Sequence, residues 1–388
     1  MTRSALSHLE CSTTGARHDA GVLQTVSSPA GETLLARYDL KEVAATPAEI
    51  AARTRGMWRW IELLPEPGPA GPVTLGEGDT PLIPLETGSA SSASGLRVLV
   101  KDESLNPTGS FKARGMSAAV TRARALGATE LAAPSAGNAA VALAAYTARA
   151  GLKAHVAIPR DTPPGIAHSC YLLGAEVTRV DGLIDDAGRL IRELAPQRGW
   201  FDVSTLREPY RVEGKKTMAL EVLEALGWKY PEAVIYPTGG GTGLVGMWKA
   251  FGEAEALGWI SGRRPRLYSV QAEGCAPIVR AFLQRTPRAQ PWTGANTAAW
   301  GLRVPAAIGD HLILTALRES GGGALSVSED EWRQGQRALC NLGFMAGPES
   351  GAAMAALGRL RAEGAVRNDE LVILFHTGSD LPYRSPLP

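Results

Sequence analysis

The stretch Asn106-Pro107-Thr108-Gly109-Ser110-Phe111-Lys112-Ala113-Arg114-Gly115 decides how this chain folds. Asn106-Pro107 and Gly109 are turn residues, so the segment opens as a loop. From Lys112 onward, Met116, Ala119, Val120 and Ala123 recur at roughly helical spacing. Lys112 is therefore expected at a loop-to-helix junction. Free backbone N–H groups and the positive end of the helix dipole disfavour an ammonium ion there. A neutral lysine amine attacks carbonyls and forms Schiff bases. The chain holds eight lysines against thirty-two arginines, so arginine serves for generic surface charge. A lysine embedded among small residues then stands out. The plain alternative is a solvated first-turn lysine.

Outward from this stretch the pattern is strand–helix alternation. Short apolar strands are expected at 131–134, 153–158, 175–180, 233–237, 267–271 and 371–375, with a further candidate at 97–100. Helices are expected at 139–150, 184–197, 215–226 and 244–256. Ser328-Glu329-Asp330-Glu331 is a capping box opening a helix over 332–341. Alternation at this spacing means parallel sheets covered on both faces, with the site built at the C-terminal strand ends. Toward the N-terminus the first 40 residues read as irregular apart from a short strand at 34–39. Residues 47–61 read as a helix and the proline-rich 65–72 as a connecting loop. Residues 87–95 (Thr-Gly-Ser-Ala-Ser-Ser-Ala-Ser-Gly) read as a flexible loop.

Composition narrows the function. At 388 residues, 45% apolar and 20% charged, the chain suits two globular domains or one large α/β body. A formal net charge of +1 argues against partners drawn by bulk charge, nucleic acid or a membrane surface. No apolar run reaches spanning length, and the start, Met1-Thr2-Arg3-Ser4, is no secretory signal. Cys11, Cys170, Cys275 and Cys340 lack paired spacing and read as free thiols of a reducing cytoplasm.

Three strand-end turns carry chemistry. Pro237-Thr238-Gly239-Gly240-Gly241-Thr242-Gly243 follows an apolar strand and precedes a helix, so its N–H groups can converge on a phosphate. It lacks the lysine of a Walker loop and the spacing of a dinucleotide fingerprint. A purely structural tight turn is the alternative. Asn138 stands at the mouth of the alanine-rich helix, either as its N-cap or as a ligand for a polar ring substituent. Thr377 ends a buried strand and offers a hydroxyl to a ring nitrogen. An amine for an aldehyde, a glycine cup for a phosphate, and an amide and a hydroxyl for a ring describe pyridoxal 5′-phosphate (PLP).

The 106–115 stretch resembles the N-P-T-G-S-F-K-D-R-G segment of threonine synthases, a family of fold-type-II PLP enzymes. Leu75-Gly76-Glu77-Gly78-Asp79-Thr80-Pro81-Leu82, Ser135-Ala136-Gly137-Asn138, Tyr210-Arg211-Val212-Glu213-Gly214-Lys215-Lys216-Thr217, the glycine cup, Val270-Gln271-Ala272-Glu273-Gly274 and Thr377-Gly378 match in family order. The resemblance implies two open, mostly parallel sheets with helices on both faces and a site in the cleft between domains. A large PLP-binding domain would comprise 75–104 and 215–388, and a small one 105–214. Residues 1–74 would pack on the large domain. Lys112 would carry PLP as a Schiff base. Asn138 would bond its phenolic oxygen, Gly239, Gly240, Gly241, Thr242 and Gly243 its phosphate, and Thr377 its ring nitrogen. Ser110, Ser135 and Arg211 would face the substrate, Arg211 as partner for a substrate phosphate.

The family pattern is departed from at Ala113, Glu208 and Asp380, where relatives carry Asp, Asn and Gly. Glu208 beside Arg211 is expected to weaken phosphate capture if it points inward. Of the two C-x-x-C pairs many relatives carry, only Cys11 remains, with Thr14, Ser27 and Ala30 at the other positions, so no zinc is expected. The activity implied is a lyase of threonine biosynthesis converting O-phospho-L-homoserine and water to L-threonine and phosphate. Rivals are a PLP-dependent β-eliminase or β-replacement enzyme acting on serine, threonine or phosphoserine, and a non-catalytic phosphate-binding protein. The partner is a small amino-acid substrate, and a homodimer is one assembly the chain allows.

Overall fold

Apolar runs pair into parallel sheets in the computed structural model, which describes residues 3–28, 31–85 and 96–383. The loop expected at 87–95 lies outside the described residues. The chain starts with β1 (Leu6–Cys11), β2 (Arg17–His18), β3 (Val26–Ser27) and β4 (Glu32–Tyr38), antiparallel in the order β2-β1-β4-β3. This corrects the expected irregular start. Leu9, Cys11, Leu34 and Ala36 turn one face inward around Tyr210, and so short an alternation is hard to see in sequence. The helix expected over 47–61 is also corrected. Only α1 (Pro47–Ala51) forms, because Gly56 takes φ of +121° and Met57–Leu63 continues as a 3-10 turn.

The antiparallel pair β5 (Leu82–Pro84) and β6 (Arg97–Asp102) precedes the helix α2 (Lys112–Ala125). Next come β7 (Glu130–Pro134), α3 (Asn138–Ala150), β8 (Lys153–Pro159), α4 (Pro164–Leu172), β9 (Glu176–Val180), α5 (Ile184–Arg198) and β10 (Phe201–Asp202). Their strands form a parallel sheet in the order β10-β7-β8-β9. Side chains alternate across it. Leu131, Ala133, Val156 and Ile158 face a core shared with α2 and α3, while Ala132 and Ala157 face Ala187, Ile191 and Ala195 of α5. Burial on both faces is why these strands read as continuous apolar runs.

The remaining chain builds a second sheet. It comprises α6 (Tyr210–Ala225), β11 (Ala233–Pro237), α7 (Thr242–Ala256), β12 (Arg266–Ala272), α8 (Pro277–Leu283) and α9 (Asp310–Glu319). Then follow β13 (Gly323–Val327), α10 (Glu329–Asn341), α11 (Pro348–Ala362) and β14 (Leu371–His376). The strand order is β13-β12-β11-β14-β6-β5, parallel except for β5. Val234, Tyr236, Ile373 and Phe375 face Leu244 and Phe251 of α7. Ala233, Ile235, Val372 and Leu374 face Trp332 and Leu339 of α10 and Leu357 of α11. Helix α6 starts five residues before the expected 215, because Glu208 accepts the backbone N–H groups of Tyr210 and Arg211 at 2.9 and 2.7 Å.

Candidate active site

The C-terminal ends of β7, β11 and β14 open onto one cleft, as strand ends in open α/β sheets do. Its walls include Lys112, Ser135, Asn138, Gly239, Gly241, Thr242, Gly243 and Thr377. Lys112 is the first residue of α2, with Phe111 in the cap position, and its ammonium lies 4.5 Å from the Phe111 ring. Burial pushes its amine down to about 8, the positive charge of Arg211 adds to the fall, and Glu349 opposes it. The ordinary value is 10.5. Desolvation, more than the junction position, makes this lysine acidic.

What holds α2 in place is a buried ionic cluster under the lysine loop. Arg114 donates to both carboxylate oxygens of Glu103 at 2.7 and 2.8 Å, and to both of Glu221 at 2.5 and 2.7 Å. Lys101 adds a bond to Glu221 at 2.7 Å, and the Asn106 amide one to Glu103 at 2.9 Å. Helix α2, helix α6, strand β6 and the opening loop are thus tied to one point. Gly115 belongs to the same contact, since a Cβ there would meet the Arg211 carbonyl at 2.9 Å and the Lys215 side chain at 2.8 Å. Lys215 itself donates to Thr242 Oγ1 at 2.8 Å, beneath the glycine cup.

Asn138 is not the helix cap: Gly137 takes that position and no side chain caps α3. The Asn138 amide donates to the Tyr383 hydroxyl at 3.2 Å, while its buried Oδ1 has no hydrogen-bond partner. A buried polar atom left so demands a partner, and here it lies on the cleft wall. Ser135 closes its own turn, its hydroxyl accepting from Gly137 and Ala140 at 3.3 and 3.1 Å. The cup runs into α7 through Gly241, at φ of +80°. Such helix-opening N–H groups have no carbonyl behind them to bond. A Cβ on Gly241 would strike Ile313 at 2.2 Å and one on Gly239 the Gly301 carbonyl at 2.2 Å. Packing behind the cup therefore requires glycine at both. Gly240 turns to an adjoining recess shared with Thr205 and Arg207.

Ser110 and Arg211 do not reach the cleft wall. Ser110 is fully buried and bridges to the backbone of Gly378. Arg211 is 1% exposed and donates to the Val203 carbonyl at 2.7 Å, its Nε and Nη2 left without partners. Glu208 does not point into the cleft either. Its oxygens face the start of α6, and burial raises its carboxyl to about 7. Among the wall residues that escaped the sequence reading are Arg303, Glu349 and Tyr383. Glu349 accepts the Gly301 N–H at 2.7 Å and bonds Tyr383, and burial raises its carboxyl. In sequence, Pro348-Glu349 looks like any helix start with proline and an acid in the first turn.

This donor set fits a phosphorylated aldehyde: an amine of lowered basicity, an orphaned amide oxygen, a strand-end hydroxyl and a helix N-terminus in one cleft. Residues 73–378 match the family described as pyridoxal-phosphate dependent enzyme, which defines the class. The threonine synthase of Methanocaldococcus jannaschii is 35% identical over 349 residues, 89% of this chain and 85% of that protein. That of Methanosarcina acetivorans is 34% identical, covering 96% of this chain and 91% of its own. A solved structure, a threonine deaminase from T.th., superposes with a TM-score of 0.65 at 27% identity, covering 80% of this chain and 94% of its own. The chain belongs to the threonine synthase family of PLP-dependent enzymes.

Proposed function

We propose that the cleft converts O-phospho-L-homoserine and water to L-threonine and phosphate, with Lys112 as the residue that carries PLP and then moves protons. PLP, when bound, supplies an electron sink for charge developing on the substrate carbons. The Lys112 amine would take and return protons at the substrate's α and β carbons, and the loss of basicity that burial imposes on it suits a group that must do both. Asn138 would bond the phenolic oxygen, residues 239–243 the cofactor phosphate and Thr377 the ring nitrogen. A neutral hydroxyl there leaves that nitrogen without a carboxylate to hold a proton on it. Ser135 lies where its turn can meet a substrate carboxylate. The observation that carries the reading is the meeting of Lys112, the orphaned Asn138 oxygen, the glycine cup and Thr377 on one cleft.

We read residues 105–214 as the small domain and 75–104 with 215–388 as the large one, the strand membership of the two sheets supporting this. A cytoplasmic location and a homodimer go with the reading. Cys11, Cys170, Cys275 and Cys340 are all free thiols, which supports the location. The test of function is phosphate release from O-phospho-L-homoserine, with threonine appearing in equal amount. Borohydride reduction of the yellow protein and peptide mapping should then find the pyridoxyl group on Lys112. No phosphate release overturns the activity; a pyridoxyl group on Lys101, Lys215 or Lys216 overturns the role of Lys112.

A further inference from the structure

The Asn138 amide is held by the segment that follows β14. Its nitrogen donates to the Tyr383 hydroxyl at 3.2 Å, and that hydroxyl in turn donates to the Glu349 carboxylate. Glu349 also accepts the Gly301 N–H at 2.7 Å. With its one hydrogen committed to Glu349, the phenol faces Asn138 as an acceptor. The amide must then turn its nitrogen toward Tyr383, and the buried Oδ1 is the atom left without a partner. We infer that Tyr383, anchored on Glu349, sets which way the Asn138 amide faces and so how Asn138 meets the cofactor's phenolic oxygen; this rests on the assignment of Asn138 to that oxygen. Tyr383 is thus a positioning residue that acts through Asn138.

Its mount is rigid. The Gly378 carbonyl accepts the Gly347 N–H at 3.0 Å, and Asp380 donates its N–H to the Met345 carbonyl at 3.1 Å. The Tyr383 N–H then bonds the Asp380 carbonyl at 2.9 Å, closing the 3-10 turn Leu381–Tyr383. Residues 345–347 lead straight into α11, whose second residue is Glu349. The turn that carries the phenol and the carboxylate that anchors it therefore share one support. The same segment confines the amide. A Cβ on Gly378 would lie 3.2 Å from Asn138 Nδ2, and one on Gly137 3.3 Å from the Tyr383 hydroxyl. Burial and the Glu349 carboxylate push the phenol well above its ordinary 10, so it keeps the hydrogen it donates. The charges that act on Lys112 are those of Arg211 and Glu349. Removing the Tyr383 hydroxyl takes neither of them away.

The experiment is a double-mutant cycle of Tyr383→Phe and Asn138→Ala. It is read by titrating cofactor-stripped protein with PLP and by the absorbance bands of the loaded protein, with urea unfolding of each variant as the folding control. Tyr383→Phe keeps the ring but frees the amide to turn over. It should raise the PLP dissociation constant about threefold to tenfold and alter the ratio of the absorbance bands. Asn138→Ala should raise the constant by about tenfold or more. With Asn138 already gone, Tyr383→Phe should change it by less than about twofold and leave the bands as they are. Effects that multiply, as those of two independent contacts do, overturn the proposal, and so does an unaltered band ratio in Tyr383→Phe. An Asn138→Ala protein that binds PLP as tightly as wild type, with the same bands, overturns the assignment of Asn138 and this inference with it. A coupled cycle in a protein that releases no phosphate from O-phospho-L-homoserine overturns only the synthase reading.

Discussion

Lys112 and Glu208 show how burial sets the charge of single groups here. The Lys112 amine, lowered to about 8, is pushed down by burial and by Arg211 and held up by Glu349. Opposite substitutions should therefore move it in opposite directions. Glu349→Gln removes the negative charge and should lower the value further, while Arg211→Gln should raise it. The pH dependence of amine labelling in the cofactor-free protein reads both; shifts of the same sign would contradict the arrangement. Glu208 behaves the other way. Its folded carboxyl titrates near 7 against an ordinary value of 4.5. The native state then keeps a proton that the unfolded chain has lost, so stability from this group is present below 4.5 and falls as pH rises toward 7. The fall is about 3 kcal/mol at most. Glu208→Gln, which cannot ionise, should gain on the wild type in urea unfolding between about pH 5 and about pH 7.5. A constant gap between the two would show that Glu208 does not titrate in this window.

Among the elements, α2 matters most because it starts with Lys112, and its position depends on charges rather than on an apolar stripe alone. Arg114, Glu103, Glu221 and Lys101 are all nearly or wholly buried. Removing one partner leaves a buried charge unmatched. Glu103→Ala should cost about 3–5 kcal/mol in unfolding free energy and loosen the cofactor, measured by urea titration and absorbance. A loss under about 1 kcal/mol would mean that water repairs the gap. Element types were largely legible. The strand at 233–237, the alanine-rich helix after Gly137 and the capping box at Ser328 obey local hydrogen-bond rules, and the structure has each of them. The helix expected over 47–61 broke at Gly56, and the strands at Phe201–Asp202 and Gly323–Val327 were not anticipated. Two-residue and half-buried strands carry too little periodicity to be read alone.

At the scale of the molecule, the N-terminal sheet occupies the stretch where the family resemblance leads one to look for paired cysteines and where Cys11 alone stands. Cys11 ends β1 and Ser27 lies in β3, so strand pairing and the packing of Leu9, Leu34 and Ala36 on Tyr210 give this segment its own core. Metal analysis of protein purified without chelator should find no stoichiometric zinc, and chelator should leave the melting temperature unchanged; stoichiometric zinc would contradict both. The site is likewise a product of strand order. β14, the last strand, inserts between β11 and β6, which brings Thr377 and Tyr383 to the loops near residues 112 and 138. The sequence by itself determined the parallel α/β class, the strand-end turns, and the candidacy of Lys112, Asn138, the glycine cup and Thr377. Those signals are local: turn residues, period-two and period-3.6 patterning and helix starts. Only the tertiary structure decided that Arg211 is buried off the cleft wall, where its charge still acts on Lys112, while Arg303, Glu349 and Tyr383 line the cleft. Exposure depends on which helix packs over a side chain, and residues hundreds of positions apart meet only once the sheets have closed around them.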